Sequence, residues 1–166
     1  SGNFIATTAV GLAAIGCGLA IGLSGMSAIG QGIAAAAGIA AAAEQPETFG
    51  KGVVFSAICE TQAIYGLLVA ILVMSFTGMF TGNLVSTLAA GVVSIGCGLA
   101  VGFAGFSAVG QGIAAAAAIG ATAEKPEMFG KGIVFAAICE TQAIYGLLVA
   151  VLLMAFTGLI TQDVTL

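Results

Sequence analysis

Arginine, histidine and tryptophan are absent from this sequence, and charged residues make up only 6% of its 166 positions. A soluble domain carries about 25% charged residues, so a soluble fold of this size would have too few charges to cover its surface. The scarcity of basic residues excludes a nucleic-acid-binding surface. Without histidine or a Cys-x-x-Cys pair, the chain also lacks the usual ligands of a zinc site.

Long apolar runs dominate the sequence instead. Hydrophobic residues make up 60% of the chain, with 26 glycines besides. Four runs are separated by short polar segments around Pro46, Asn83 and Pro126. A membrane-spanning helix needs about 20 apolar residues, and in lipid its backbone must satisfy its own hydrogen bonds. The sequence therefore predicts an all-α membrane protein with two tandem transmembrane helical hairpins, four helices in all.

The chain is a duplication of one unit. Residues 11–80 align with residues 91–160 at an offset of 80 without a gap, and 50 of these 70 positions are identical. We therefore predict two hairpins, over 1–80 and 81–166. Since each unit contains an even number of spans, both copies have the same orientation in the membrane.

The lysines indicate that orientation. Lys51, Lys125 and Lys131 all lie at the two Pro-Glu loops. The positive-inside rule places these loops in the cytoplasm and both termini on the opposite side.

Glycine is concentrated in the first helix of each unit. Gly18 and Gly22 form a GxxxG pair, which Gly98 and Gly102 repeat. Small residues let helices approach closely in lipid, whereas the second helices carry Phe, Leu, Ile and Val. This division favours many copies in a ring, with tight inner helices and bulky outer ones. Packing within a monomeric bundle is the alternative.

Two glutamates lie deep in apolar runs. Glu60 follows Lys51 by nine residues. That spacing is about 13 Å along a helix, and the hydrocarbon core is about 30 Å thick, so Glu60 lies near the midplane. Glu140 occupies the same position in the second unit. A charged side chain at that depth costs at least about 2.5 kcal/mol, which makes both glutamates candidate functional sites.

A glutamine lies at the depth of each glutamate. Gln31 and Glu60 are equally distant from the loop centre at 45–46, and Gln111 and Glu140 are related in the same way. Each glutamine is therefore expected beside its glutamate, on the partner helix of the hairpin.

Further oxygen-bearing side chains follow each glutamate. Gln62 points about 160° away from Glu60 around the helix, so Thr61 and Gln62 are expected to face the glutamate of another hairpin. Tyr65, one turn beyond Thr61, can donate its hydroxyl to that carboxylate. A shell of oxygen atoms with one carboxylate suits a hard monovalent cation such as Na⁺. A proton would need only the glutamate, so H⁺ stays open as the alternative.

These residues resemble the proteolipid, or rotor-ring, component (c or K) of V-type and A-type ATPases. The matching features are the glycine-rich first helix, its central Gln, the Pro-Glu loop, and ICETQAIYGLLVA at 58–70 and 138–150. The duplicated, sodium-dependent members are the most similar. The resemblance implies a ring of identical subunits, embedded in membrane lipid, that turns against a static membrane subunit supplying an Arg. It also implies a central-stalk subunit at the polar loops.

The same resemblance implies two Na⁺ sites in each chain. The first comprises Gln111, Glu140, Thr61, Gln62, Tyr65 and the carbonyl of Ile58. The second comprises Gln31, Glu60, Thr141, Gln142, Tyr145 and the carbonyl of Ile138. Many four-helix members keep only the glutamate of the second hairpin, so this chain is expected to carry twice as many ions.

No catalytic residue is expected on this chain, because it has no P-loop and ATP turnover belongs to partner subunits. Two functions of a different class stay open. An oligomeric pore lined by the glycine-rich helices would place polar groups along its whole length, whereas here they cluster at one depth. A small secondary transporter can contain parallel repeats, but near-identical repeats fit ring symmetry better.

Overall fold

The computed structural model describes residues 8–84 and 87–161. It is helical, and no strand occurs within these two ranges. The eight α-helical segments are α1 (Thr8–Ser24), α2 (Ser27–Glu44), α3 (Phe49–Ala57), α4 (Thr61–Phe76), α5 (Leu88–Ala104), α6 (Ser107–Glu124), α7 (Met128–Ile138) and α8 (Thr141–Phe156). Short 3₁₀ turns cover Pro46–Thr48 and Ile58–Glu60.

These segments join in pairs into four long helices. The long helices are Thr8–Glu44, Pro46–Phe76, Leu88–Glu124 and Met128–Phe156, and each is long and apolar enough to cross a membrane. α1–α2 packs against α3–α4, and α5–α6 packs against α7–α8. The prediction of four helices in two hairpins is confirmed. The exact boundary at residue 80 stays a prediction, and the outer ends of the two units, 1–7 and 162–166, lie outside the described residues.

The first long helix of each hairpin is broken near its middle. At the α1–α2 junction, Met26 N donates to Leu23 O at 3.1 Å and Ala28 N to Gly25 O at 3.1 Å. These are three-residue steps in place of the α-helical four. The α5–α6 junction repeats the pattern around Gly105. The break therefore belongs to the repeated unit.

The second long helix of each hairpin is broken beside its glutamate. Ile58–Glu60 forms a 3₁₀ turn between α3 and α4. In the second hairpin, Glu140 N donates to Ala137 O at 3.0 Å, again a three-residue step. A 3₁₀ step inside a helix often marks a functional position, and here it occurs beside the glutamate in the middle of each long helix.

Glycines set the closest helix contact in the chain, between α1–α2 and α5–α6. A Cβ on Gly16 would collide with the backbone of Ser94, and one on Gly98 would collide with the backbone of Gly16. Farther along, a Cβ on Gly30 would collide with the backbone of Ala108. Only glycine permits this approach, which is what small residues contribute to helix packing in lipid.

The predicted GxxxG pairs differ in their surroundings. Gly98 and Gly102 lie against α1, whereas no atom of the described residues lies within 4 Å of the Cβ positions of Gly18 and Gly22. The chain thus uses the second pair for packing between its hairpins and leaves the first pair open.

Two apolar clusters lie on either side of a polar layer. One joins α1, α4, α5 and α8 around Val69 and Met154, and the other joins α2, α3, α6 and α7 around Phe55 and Ile119. Between them lie side chains of the predicted site. The fold therefore holds these polar groups at one depth, with apolar packing above and below.

Candidate ion-binding site

The two hairpins meet through a pair of buried amides in the polar layer. Gln62, at the start of α4, and Gln111, in α6, are both fully buried. Gln62 Nε2 donates to Gln111 Oε1 at 2.6 Å. This contact brings Gln62 to the hairpin that carries Glu140, as the angular spacing of Glu60 and Gln62 predicts.

Tyr65 and Glu140 form a second link between the hairpins. The Tyr65 hydroxyl donates to Glu140 Oε1 at 2.6 Å, and both side chains are half-buried. Hydrogen bonds to an ionised acceptor are roughly twice as strong as neutral ones. Tyr65 therefore fixes the carboxylate in the layer that contains Gln62 and Gln111.

Thr61 connects the site to the 3₁₀ turn that interrupts the second long helix. Its hydroxyl donates to the carbonyl oxygen of Ile58 at 3.0 Å and lies 3.3 Å from Gln62 Oε1. The 3₁₀ turn at Ile58–Glu60 positions that carbonyl, because it ends the α-helical ladder of α3 immediately before Thr61. Three oxygen atoms from neighbouring residues are thus grouped at one end of α4.

These oxygen atoms are of the kind that binds a monovalent cation. The site offers one carboxylate, two amide oxygens, a hydroxyl and a backbone carbonyl, and hard cations prefer such oxygen ligands. Gln111 Nε2 is buried without a hydrogen-bond partner among the described residues. The amide is oriented with its oxygen toward Gln62, which leaves this donor orphaned at a cost of about 1–3 kcal/mol. No group of three or more His, Cys, Asp or Glu occurs in the described ranges.

The structure leaves the second predicted set apart. Gln31 is half-buried and Glu60 is exposed, both on the first hairpin, whereas Gln142 and Tyr145 are exposed on the second. Among the described residues, no hydrogen bond joins these two groups.

One half of the second set nevertheless has the geometry of the first. Thr141 donates to the carbonyl of Ile138 at 3.0 Å and lies 3.3 Å from Gln142 Oε1, as Thr61 does with Ile58 and Gln62. The second hairpin therefore already groups the oxygen atoms of Ile138, Thr141 and Gln142. Glu60 and Gln31, the members of the second set on the first hairpin, lie apart from this group.

Sequence reasoning missed the breaks in both long helices of the hairpin, and the one in the second helix lies at the site itself. Ile58-Cys59-Glu60 contains neither proline nor glycine, so no helix breaker announces a 3₁₀ turn there. The available signal was the run Glu60-Thr61-Gln62, in which three polar residues follow one another inside an apolar helix.

Comparison with known proteins identifies the family of the chain. The sequence pattern of the ATP synthase C-subunit family matches the chain twice, over residues 15–73 and 95–153. The chain belongs to the ATP synthase C-subunit family. Because the two matched ranges are offset by the same 80 residues as the internal repeat, each hairpin is one family unit.

Relatives of this family include both sodium and proton ATPases. The chain is 56% identical to the A-type ATP synthase subunit K of Methanocaldococcus jannaschii, over 91% of this chain and 66% of the relative. It is 38% identical to the V-type sodium ATPase subunit K of Enterococcus hirae, over 76% and 79%. It is 34% identical to the c-subunit of the V-type proton ATPase of Candida tropicalis, over 73% and 71%. The chain thus spans slightly less than two thirds of the Methanocaldococcus relative.

Proposed function

We propose that this chain of the C-subunit family is a rotor-ring component of a rotary V/A-type ATPase or ATP synthase that carries Na⁺ on Glu60 and Glu140. The proposal rests on two hydrogen bonds between the hairpins, one from Gln62 to Gln111 and one from Tyr65 to Glu140. These two contacts bring oxygen-bearing side chains of both hairpins together, and one of them is a carboxylate. A proton carrier would need the carboxylate alone, so the additional oxygens favour Na⁺.

The mechanism follows from the charge of the glutamate. With a cation bound, the site is neutral, and it can pass along lipid without the penalty for a charge in the bilayer. Without the cation, the carboxylate is anionic and stays at a polar interface. We place that interface on a static membrane subunit that supplies an Arg. Moving one charge across 100 mV is worth about 2.3 kcal/mol, so several ions per turn accumulate the work needed for ATP chemistry on partner subunits.

The glycine faces support assembly of identical copies. Within the chain, α1 meets the face of α5 that carries Gly98 and Gly102. The equivalent face of α1, with Gly18 and Gly22, is open. A second copy can therefore place its α5–α6 on this open face, by repeating the contact between the hairpins. Such a head-to-tail interface closes into a ring when the rotation permits.

That same contact would complete the second site. Each copy leaves Gln31 and Glu60 open on its first hairpin, and Thr141, Gln142 and Tyr145 open on its second. If two copies repeat the contact that the hairpins make within one chain, these groups come together with the carbonyl of Ile138. Each chain then carries one site of its own and shares a second with its neighbour.

The loops are proposed to face the cytoplasm and the central stalk. Lys125 and Lys131 lie beside the loop between α6 and α7, and Lys51 lies just beyond the turn at Pro46–Thr48. The positive-inside rule supports this sidedness. Exposed Glu47 and Glu127 add acidic groups to the same surface, which offers the stalk a charged contact.

The deciding experiment is carbodiimide labelling of the purified oligomer with and without Na⁺, over a range of pH. The reagent attacks the protonated carboxyl, so a bound cation protects it. We expect millimolar Na⁺, but not K⁺, to protect both Glu60 and Glu140. Labelling that follows pH alone and ignores Na⁺ would assign the site to H⁺, with the amides serving as hydrogen-bond support.

Substitution of the glutamates tests transport itself. Glu60→Gln and Glu140→Gln should each impair ion transport while the oligomer still assembles, because the amide keeps the shape and removes the charge. Full transport by the double variant would refute the proposal, and a pore or a secondary transporter would then explain the fold. The number of copies per particle, measured by native mass spectrometry, separates a small secondary transporter from a ring.

A further inference from the structure

A phenylalanine locks the two hairpins together on the loop side of the ion site. Phe55 of α3 is 0% exposed. Its ring meets that of Phe129 edge to face, with 5.4 Å between centroids. It also closes over Gly132, since a Cβ there would lie 2.9 Å from Phe55 Cζ. Phe55 is thus a knob of the first hairpin inserted into a socket of the second.

The equivalent socket on the first hairpin is an open cavity of about 270 Å³. Its lining includes Phe49 and Gly52, the counterparts of Phe129 and Gly132 at the repeat offset. Gln31, a predicted ligand of the second ion site, lines it as well. An engineered cavity of about 150 Å³ admits benzene, so this one has ample room for a phenylalanine ring.

The matching knob is also present and unused. Phe135 of α7 is the counterpart of Phe55, and it is 67% exposed. Ile138, three residues on, is likewise exposed, whereas its counterpart Ile58 packs against the buried cluster around Phe55. The chain therefore presents a bare knob on one hairpin and an empty socket on the other.

We infer that Phe135 of one copy inserts into the cavity lined by Gln31, Phe49 and Gly52 of the next copy. This inference rests on the proposed assembly of copies and specifies its joint. The occupant is a second copy, because the chain already makes the same contact once between its own hairpins. Since Gln31 lines the cavity, the joint lies directly beside the ion site that the two copies are proposed to share.

Shape, rather than apolarity, favours protein over lipid in this cavity. Lipid tails are as apolar as these side chains, so covering an exposed apolar face in a bilayer gains little by itself. A void, in contrast, loses dispersion contacts along its whole lining. A rigid aromatic ring on a matching helix restores those contacts.

The socket between copies differs from the one within the chain. Gly38 replaces Ala118 and Val53 replaces Ile133, so the cavity between copies is wider by two carbon atoms. Ser56 in place of Ala136 adds a hydroxyl to its wall. The joint between copies is therefore the looser of the two, and it is the one at which the oligomer should come apart.

Photo-crosslinking tests the inference directly. The photoreactive aromatic p-benzoylphenylalanine is placed at position 135 of the full chain, and the oligomer is irradiated in its membrane. We expect crosslinked dimers and higher multimers on a denaturing gel. Mass spectrometry should locate the crosslink within residues 31–57 of the second chain. Adducts with lipid alone, or a crosslink mapped elsewhere, would overturn the inference.

The neighbouring residue Val134 provides the matched control. Val134 is 58% exposed, and its counterpart Val54 is 42% exposed even with a second hairpin beside it. The photoreactive residue at position 134 should therefore react with lipid and give no multimers. Multimers from position 134 equal to those from position 135 would contradict the docking of Phe135.

A third position separates this inference from the assembly on which it rests. Tyr145 belongs to the ion site proposed between copies but lies outside the cavity. Crosslinks from position 145 without crosslinks from position 135 would leave the assembly standing and refute the joint. Loss of both would refute the assembly. Sodium protection of the glutamates is measured separately and affects neither result.

The stability of the oligomer provides a second readout. Phe135→Ala should lower the temperature at which copies separate in mild detergent. Phe80→Ala, a truncation at a position exposed in both hairpins as Phe80 and Ile160, should leave it unchanged. Equal stability of the Phe135→Ala and parent oligomers would count against the joint.

Discussion

Tyr65 and Tyr145 have the same neighbours in sequence but different surroundings in the chain. Tyr65 donates to Glu140, whereas Tyr145 is 62% exposed. The difference arises because the face of α4 that carries Tyr65 meets the second hairpin, whereas the face of α8 that carries Tyr145 is exposed. A comparison of equivalent residues in a tandem repeat thus shows which faces are covered within one chain and which are left exposed.

The hydroxyl of Tyr65 should strengthen ion binding at Glu140. A hydrogen bond to a charged group contributes about 1.5–3 kcal/mol, and a difference of about 1.4 kcal/mol is a factor of ten. We expect Tyr65→Phe to raise the Na⁺ concentration that protects Glu140 from carbodiimide by about 10- to 100-fold. Protection of Glu60 should stay unchanged. An unaltered Glu140 profile would show that the hydroxyl does not support the occupied site.

The paired amides of Gln62 and Gln111 should contribute both to ion binding and to the contact between the hairpins. Gln111→Leu removes the acceptor of the Gln62 amide and leaves Gln62 Nε2 buried without that acceptor, at a cost of about 1–3 kcal/mol. We expect weaker Na⁺ protection of Glu140 and a less stable joint between the hairpins. Gln31→Leu, in the equivalent position, should affect Glu60 and leave the stability of the isolated chain unchanged. Thermal unfolding of both variants in detergent checks the contrast.

At the scale of helices, the sequence predicted the number, type and pairing of the elements, because lipid leaves a long apolar run no alternative to a helix. The shared depth of Gln111 and Glu140 stays a prediction. The breaks beside Gly25 and Glu60 were not predictable from helix propensity. Neither lies at a proline, and the second has no glycine either, so only the assembled structure shows that the ladder changes there.

Equivalent glycines of the two first helices should respond differently to substitution. A Cβ on Gly98 meets the backbone of α1, whereas one on Gly18 meets open space. Gly98→Ala should therefore destabilise the chain itself, by about 1–3 kcal/mol or more. Gly18→Ala should leave the chain folded and impair only assembly of copies. Size-exclusion chromatography and thermal unfolding in detergent distinguish the two.

Gly50 provides the control for both glycine variants. Within the described part of the chain, neither Gly50 nor its counterpart Gly130 has a neighbour within 4 Å of its Cβ position. Gly50→Ala should be neutral or slightly stabilising, since alanine is favoured over glycine within helices by about 1 kcal/mol. A chain that unfolds equally with alanine at 18, 50 or 98 would contradict the assignment of the faces.

For the whole molecule, the two proposed sites differ in what completes them. The Glu140 site draws all its groups from one chain, whereas the Glu60 site lacks the groups that Thr141, Gln142 and Tyr145 carry on the other hairpin. The sequence implies both sets by resemblance, but it could not show which set closes within the chain. That distinction depends on the order in which the connection between α4 and α5 places the hairpins.

Dispersed single chains should therefore keep one working site. In a detergent that separates the copies, Na⁺ should protect Glu140 and leave Glu60 labelled. In the intact oligomer, Na⁺ should protect both and bind at two ions per chain. Equal protection of the two glutamates in single chains would contradict the proposed sharing of the Glu60 site. One ion per chain in the oligomer would remove that site altogether.

The covalent link between the hairpins has an arithmetic consequence. Because every chain brings two hairpins, a closed circle of any size contains an even number of them. Under the proposed function, the count of ions per full turn is then also even, whatever the number of chains. The number of ions carried per full turn, which sets the ratio of ions to ATP, can change only in steps of two. A substitution in one of the two hairpins, moreover, alters every second hairpin of the circle rather than all of them.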